Sequence, residues 1–144
     1  MKIRKIKEDD CTKDFKTGYK PFDYDRYGNR LDSAHYFERT KKGYEVYVIT
    51  DEARVLALLC LQIRGGQMYI SRVGVYEGYH GYGYMTRMLL YGRERMDELG
   101  IKIATARVRK RLIQVFEEDF DFTIVREGED QHWGEYAYMK LEVG

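Results

Sequence analysis

The 144-residue sequence predicts an α/β (α+β) domain with a mixed, mostly antiparallel central sheet that contains one parallel strand pair and is flanked by helices. A strand, a glycine-rich turn, a helix and a second strand follow one another over residues 67–108. A crossover of that length normally joins parallel neighbours through a right-handed connection. Strands predicted at 44–50 and 55–63 precede this unit as hairpins. The length suits a single domain, 1–144, with one core.

The N-terminal part contains the least regular segment of the chain. Residues 2–7 alternate imperfectly and predict a first or edge strand. Residues 17–34 are interrupted by glycine, proline and asparagine, which predicts a loop. A helix is predicted over 33–41, beginning at Asp32 or Ser33, because both residue types favour the position before a first helical turn.

Two strands are predicted in the middle of the chain. Residues 44–50 alternate between apolar and polar side chains, as a half-buried strand does. Residues 55–63 are continuously apolar, which predicts a strand buried on both faces. Gly65 and Gly66 form a two-residue hairpin signal that joins this strand to the next one.

The stretch from 67 to 108 changes its hydrophobic period at a group of glycines. Met68 and Ile70 alternate with polar residues, as in a half-buried strand. After the glycines, apolar side chains recur at helical spacing, at Met85, Met88, Leu89, Met96 and Leu99. Gly100 is the predicted C-cap, and a strand is predicted over 101–108.

The C-terminal part predicts a further helix and two further strands. The helix covers 110–119 and carries one apolar face, and a short strand covers 122–125. Residues 127–134 predict a loop that holds Trp133. The last strand covers 135–143, and its apolar face consists of Ala137, Met139, Leu141 and Val143.

Composition excludes several classes of protein. Lys plus Arg number 25 and Asp plus Glu 24, and a net charge of +1 gives no general attraction to nucleic acid or to an anionic membrane. No apolar run is long enough to span a membrane, and the N-terminus lacks a signal-peptide core. Cys11 and Cys60 are predicted to be reduced thiols, and no Cys/His spacing indicates a metal. We expect a cytoplasmic monomer or homodimer.

The glycine turn that precedes the helix predicts an anion site. A helix N-terminus exposes unpaired N–H groups and carries partial positive charge, and glycines let the backbone approach a phosphate closely. A phosphate-bearing cofactor is the natural ligand, although a plain strand-to-helix connection has the same spacing. No Gly-Lys-Ser/Thr follows the turn, so it is not a Walker loop.

The segment Val73-Gly-Val-Tyr-Glu-Gly-Tyr-His-Gly-Tyr-Gly-Tyr-Met-Thr86 resembles motif A of the GNAT acetyltransferase superfamily. That motif runs Val-x-Pro-x-Tyr-Arg-Gly-x-Gly-x-Gly/Ala. The matching positions are Val75, Tyr79, Gly81 and Gly83. The positions that depart are Glu77 for Pro, His80 for Arg or Gln, and Met85 for the last Gly/Ala.

A second similarity to the same family lies further along the chain. The family's Phe-Tyr-x-x-x-Gly-Phe is matched at Phe116, Phe120 and Phe122. Glu117 replaces the Tyr of that pattern and Asp121 replaces its Gly. The order of predicted elements agrees with the family over nearly the whole chain.

The resemblance implies that the two parallel strands splay apart and that the pantetheine arm of acetyl-CoA lies between them. The residues that would face the arm are Val73, Gly74 and Val75. The residues that would give backbone N–H groups to the pyrophosphate are Gly81, Tyr82, Gly83, Tyr84, Met85 and Thr86. His80 and Lys110 would add side-chain donors. Lys110 belongs to a basic cluster with Arg107, Arg109 and Arg111, which either holds phosphates or forms a solvated helix start.

The implied activity is transfer of the acetyl group of acetyl-CoA to a primary amine of a small molecule, peptide or protein by direct attack. The family often uses a Glu or His on the central strands as the base, and this chain has neither there. Tyr69 is among the few polar residues available. The Tyr that usually protonates the departing thiolate corresponds to Glu117. The catalytic candidates are therefore Glu117 and Tyr69, with Tyr136 and Tyr138 as alternative proton donors.

Three questions stay open at this stage. The missing base also suits a catalytically weak or inactive domain of the same fold that binds acyl-CoA or a partner protein. The 14 tyrosines suit a nucleic-acid binder, which the net charge of +1 disfavours. The loop 17–34, with Asp23 and Asp25 among aromatic side chains, is either a site for a cationic acceptor amine or a solvated loop.

Overall fold

The computed structural model describes residues 1–132 and 134–144, which form one seven-stranded sheet with helices on both faces. The strands are β1 (Arg4–Lys5), β2 (Glu45–Thr50), β3 (Val55–Arg64), β4 (Gln67–Val75), β5 (Ile103–Arg109), β6 (Thr123–Asp130) and β7 (Gly134–Glu142). The helices are α1 (Lys20–Asp23), α2 (Ser33–Thr40), α3 (Tyr84–Leu99) and α4 (Lys110–Phe120). Two 3₁₀ turns lie at Glu8–Thr12 and His80–Tyr82.

The sheet is mixed, as the sequence predicts. Its strand order is β1-β2-β3-β4-β5-β7-β6, and only β4 and β5 pair in parallel among these seven strands of the described chain. The predicted edge strand is confirmed, since β1 lies at one end of the order. The strand–turn–helix–strand unit therefore forms the predicted parallel crossover, with α3 as its helix.

Strand β3 is the centre of the core. Every residue of its first seven, 55–61, is fully buried, which confirms a strand covered on both faces. Leu59 lies beside Gly92 of α3. The next residue, Cys60, lies close enough to Arg39 of α2 for that charge to affect the pKa of its thiol. Since successive side chains on a strand point to opposite faces, α2 and α3 cover opposite faces of the sheet.

The predicted helix boundaries and hairpin turn are confirmed by their local geometry. The Asp32 carboxylate accepts a hydrogen bond from the His35 N–H at 2.9 Å and caps α2. Gly100 ends α3 with a φ of +66°. Gly65 and Gly66 have φ values of +57° and +74°, as a two-residue hairpin turn of this type requires.

The loop predicted over 127–134 is wrong for its first half. Strand β6 continues to Asp130 and pairs with β7, while Trp133 lies outside the described residues. The chain gives no periodic signal there because β6 is an edge strand with most of its residues exposed. Hydrophobic alternation reports burial of one face, and a strand without a buried face does not show it.

Two apolar faces are shorter than the sequence predicts, and the N-terminal loop is more ordered. Leu99 is 43% exposed at the end of α3. Val143 lies beyond the end of β7 and is only half-buried. Within 17–34, helix α1 forms one turn and buries Phe22 and Asp23.

Candidate active site

A cleft opens between β4 and β5 where their pairing stops. The parallel pairs run from Met68–Ala104 to Ile70–Ala106. Beyond them β4 stays paired with β3 up to Val75, and β5 with β7 up to Arg109. The gap has a volume of about 210 Å³. Its lining consists of Phe22, Arg39, Tyr69, Ile70, Ser71, Arg72, Val73, Ala106, Arg107, Val108, Arg109, Leu112 and Phe116.

A β-bulge at Ser71 marks the point where β4 turns away from β5. Leu61 of β3 pairs with Ile70 and Cys60 pairs with Arg72, so Ser71 is one extra residue on the bulged strand. A bulge bends its strand and increases the local twist. The side chain of Ser71 is fixed, because its Oγ accepts a hydrogen bond from Arg39 Nη1 at 3.0 Å.

The turn at the mouth of the cleft exposes backbone N–H groups. The first helical hydrogen bond of α3 runs from Arg87 N to Gly83 O at 3.1 Å, and no side chain caps this end of the helix. The N–H groups of Tyr84, Met85 and Thr86 therefore have no intrahelical acceptor. Gly81 and Gly83 have no atom within 4 Å of the position that a Cβ would occupy. This geometry fits a phosphate group, since it offers both donors and space.

Met85 does not cover this backbone, although it replaces a small residue of the family motif. Its side chain is half-buried and packs against the hydrophobic core. The left-handed backbone of Gly83, with a φ of +76°, starts the helix immediately before it.

Residues 16–18, which precede α1, contact the glycine turn that follows β4. Glu77 N donates to Lys16 O at 2.8 Å, and His80 Nε2 donates to Thr17 O at 3.4 Å. A Cβ on Gly18 would lie 3.3 Å from the Glu77 side chain. The segment thus lies beside the turn and not across the cleft from it.

The two acidic residues predicted to attract a cationic acceptor bind their own loop instead. Asp23 is buried and accepts hydrogen bonds from Thr17 N, Thr17 Oγ1 and Gly18 N at 2.8–3.0 Å. Asp25 accepts from Tyr27 N and Asn29 N at 2.8 and 2.9 Å. These bonds are local and structural, so the idea of a carboxylate site for the acceptor in 17–34 is not supported.

The two catalytic candidates lie in different surroundings. Tyr69 lines the cleft and is half-buried, and burial raises the pKa of its hydroxyl. Glu117 lies on the exposed side of α4 and is absent from the cleft lining, whereas Leu112 and Phe116 of the same helix belong to it. Of the two candidates, only Tyr69 therefore lies where the cleft could hold a substrate.

The basic cluster of the sequence divides into two parts. The side chains of Arg107 and Arg109 line the cleft. Lys110 is exposed and its Nζ lies 2.7 Å from Glu135 Oε2, so an ion pair already occupies it. Arg111 stacks over the ring of Tyr19, with its guanidinium carbon 4.0 Å from the ring centre.

Sequence reasoning missed two charged residues of the lining, Arg39 and Arg72, and the packing of Phe22 against β4. Arg39 lies on α2, and no local pattern ties that helix to β4. The Phe22 ring lies against Gly74, where a Cβ would meet it at 2.5 Å. The only signal for this packing is the glycine at position 74, which leaves room for an aromatic ring. Because Phe22 is 52 positions away in the chain, the sequence does not show that the two residues meet.

Among the described residues, no helix is long and apolar enough to cross a membrane. The same part of the chain contains no group of three or more His, Cys, Asp or Glu side chains placed to hold a metal ion.

A mixed sheet that separates between its two parallel strands, beside a turn with free N–H groups, defines the acetyltransferase class of α/β domains. The model of the acetyltransferase (GNAT) family matches residues 5–122. The chain belongs to this family. No curated protein matches the chain significantly.

Solved structures with the same fold cover nearly the entire chain. The ribosomal-protein-S18-alanine N-acetyltransferase from Escherichia coli superposes with a TM-score of 0.74 at 12% identity, over 99% of this chain and 94% of that one. An N-acetyltransferase from Staphylococcus aureus Mu50 gives 0.72 at 14%, over 98% and 97%. The PaiA N-acetyltransferase from Thermoplasma acidophilum, in complex with coenzyme A, gives 0.69 at 13%, over 99% and 98%. At such identities the likeness concerns the fold.

Proposed function

We propose that this single domain is a cytoplasmic N-acetyltransferase that moves the acetyl group of acetyl-CoA to an amine by direct attack. The observation that carries the proposal is the separation of β4 from β5 beyond Ile70 and Ala106, beside the free N–H groups at the start of α3. Family membership and a fold shared with an acetyltransferase in complex with coenzyme A support it.

The chain would hold the cofactor mainly through backbone groups. The edge of β4 that faces the gap offers the main chain of Val73, Gly74 and Val75, because β3 pairs with the other edge. The donors for the pyrophosphate are the N–H groups of Gly81, Gly83, Tyr84, Met85 and Thr86, with His80 beside them. The N–H of Tyr82, the sixth predicted donor, already donates to Tyr79 O at 3.4 Å. Acetyl-CoA supplies the activated acetyl thioester. The N–H near Val73 would stabilise the developing oxyanion.

The cleft suggests how the amine loses its proton. Its lining contains four arginines and neither a carboxylate nor an imidazole among the described residues. Like charges disfavour an ammonium ion, so the amine gives up its proton to water and binds in its neutral form. Attack on the acetyl carbon makes the nitrogen cationic, and the proton that it then loses to water balances the proton that the departing thiolate takes up. Neutral amine is the form that attacks a thioester.

Tyr69 is the proposed proton donor to the leaving sulfur. Burial raises the pKa of this phenol above its usual value near 10, so it keeps its proton at neutral pH. Glu117, the other candidate, has an exposed position that suits a solvated helix face.

The second candidate function is an acyl-CoA-binding or protein-interaction domain without turnover. The observation that favours it is the lining without a general base. Its acyl-CoA-binding form shares the cofactor site with the first proposal and differs only in the chemical step.

Calorimetric titration with acetyl-CoA, followed by a thiol-release assay over a panel of amines and peptides, tests both functions. We expect micromolar affinity and a raised melting temperature, because a ligand at 100 times its dissociation constant adds about 2.7 kcal/mol of stability. Binding with thiol release supports the enzyme, and binding without release for any acceptor supports the second function. No binding at millimolar acetyl-CoA contradicts the enzyme and the acyl-CoA-binding domain, and leaves the protein-interaction domain.

A further inference from the structure

The β5 wall of the cleft carries two guanidinium groups, of Arg107 and Arg109, each with one buried donor atom that has no hydrogen-bond partner among the described residues. Arg107 Nη2 donates to Asp130 Oδ2 at 2.9 Å, but its Nε is buried without a hydrogen-bond partner in the described chain. Arg109 Nη1 is also buried without a hydrogen-bond partner in the described chain. No acidic group of the described residues forms a salt bridge with Arg109. Buried polar groups in proteins are normally paired, so this arrangement is complete only with an added acceptor.

The rest of the lining has the same sign of charge. Arg39 and Arg72 also face the cleft, and their bonds go to the Ser71 hydroxyl and the Pro21 carbonyl. Burial lowers the pKa of Arg109, the charge of Arg107 adds to this effect, and the nearby carboxylate of Asp130 opposes it. A cationic acceptor would meet repulsion here, whereas a carboxylate or phosphate matches the fork of a guanidinium group.

The two guanidinium groups lie on the face opposite α3. Arg107 stacks over the ring of Tyr136 on β7, 3.8 Å from its centre. Arg72, which contacts Pro21 of α1, is close enough to Arg109 to affect its pKa. The free N–H groups of the pyrophosphate turn belong to α3, on the other face. The missing anion therefore differs from the cofactor's pyrophosphate.

We propose that the acceptor is a small amine with a carboxylate or phosphate close to its amino group, and that Arg107 and Arg109 bind this anion. The inference rests on the proposed function and names its substrate class. An amino acid and an aminoalkyl phosphate are the two sources of the same chemistry.

Matched acceptor pairs test the proposal. Thiol release is measured with amino acids against their amides, and with phosphoethanolamine against ethanolamine. We expect kcat/KM for the anionic member of the preferred pair to be at least tenfold higher. The amino-acid pairs and the phosphate pair separate the two sources. Equal or better turnover of the neutral members overturns the proposal.

Two variants separate a specific anion site from general charge. Arg109→Gln should reduce the preference for the anionic member to less than threefold and leave the dissociation constant of acetyl-CoA unchanged. Arg126→Gln is the control, because Arg126 is exposed on β6 and stacks over Tyr138 outside the cleft. It should keep the full preference. A loss of acetyl-CoA affinity in Arg109→Gln, with the preference intact, would assign the cluster to the cofactor and overturn the proposal.

A binding experiment tests the acceptor preference even if acetyl transfer is too slow to measure. The protein saturated with CoA is titrated calorimetrically with the same amines, and the anionic members should bind at least tenfold more tightly than their neutral partners. If acetyl-CoA binds but no anionic amine binds or is acetylated, this inference fails while the proposed function stands. If acetyl-CoA itself does not bind, the proposed function fails first.

Discussion

Ile70 and Ala106 form the last pair of the parallel strands β4 and β5, and the sheet divides directly beyond them. The bulge at Ser71 follows Ile70 on one side of the gap, and Arg107 follows Ala106 on the other. The cleft thus opens directly after the Ile70–Ala106 pair, and its polar wall begins with the next residue of each strand.

Substitution of Gly83 should weaken acetyl-CoA binding more than it weakens the fold. Gly83 has a φ of +76° at the start of α3, so Gly83→Ala strains the turn that is proposed to hold the pyrophosphate. Gly43→Ala is a matched control, since Gly43 has a φ of +88° with open space around it in a distant turn. Both variants should lose about 1 kcal/mol of stability. Only Gly83→Ala should lose at least tenfold in acetyl-CoA affinity by calorimetry, and equal affinities would exclude the turn as the site.

Substitution of Gly74 tests the packing beneath the cleft. A Cβ at this position would lie 2.5 Å from the Phe22 ring, so Gly74→Ala should cost about 1–3 kcal/mol in denaturant unfolding. The additional change Phe22→Leu should recover part of this loss. Gly92→Ala is the control. Gly92 lies within α3, and a Cβ there would be 3.6 Å from the Leu59 side chain of β3, which is an ordinary contact. Alanine at this position should raise the free energy of unfolding by up to about 1 kcal/mol. A neutral Gly74→Ala variant would show that Phe22 does not occupy this place.

The two candidate proton donors should differ in their kinetic effect. Tyr69→Phe removes a half-buried hydroxyl from the cleft and should lower kcat about tenfold or more, with the KM for acetyl-CoA unchanged. Glu117→Gln changes an exposed side chain outside the lining and should leave kcat within twofold. Steady-state thiol release measures both. The reverse result would assign the acid to Glu117.

The buried carboxylate Asp10 should give a stability that depends on acid pH. Burial alone would raise its pKa, but the bidentate bond from Arg4, the Lys7 N–H and Lys13 outweigh burial and hold the pKa well below its usual range. A depressed pKa in the folded state adds stability above the unfolded value near 4, and this stability is lost as the pH falls toward the folded value.

Asp10→Asn should therefore lose about 3 kcal/mol at pH 7, and its deficit against the wild type should shrink as the pH falls from 5 to 2. Unfolding by denaturant across this range measures it. Asp97→Asn is the control, because Asp97 pairs with Arg93 on the surface and is 64% exposed; it should change by less than about 1 kcal/mol. If the stability deficit of Asp10→Asn stayed constant with pH, the partners of Asp10 would not lower the pKa of its carboxylate.

The sequence by itself determined the family and the order of the longer elements, but not the helical turn α1 or the full length of β6. Gly100, Asp32 and the Gly65-Gly66 pair act through their own backbone and nearest neighbours, so their roles are readable locally. The same holds for the glycine turn that resembles motif A, because its function depends on backbone N–H groups at one helix end.

Only the tertiary structure decided what lines the cleft. Arg39, Arg72 and Arg109 are 33 and 37 positions apart in the chain, and the parallel pairing of β4 with β5 brings them to one gap. The bulge at Ser71 arises from the register between two strands. Non-local contacts of this kind leave no periodic signal in a single sequence, since side-chain period reports burial and not the identity of the neighbour. The sequence therefore indicated the cofactor, and the folded arrangement of arginines gave the charge of the proposed acceptor.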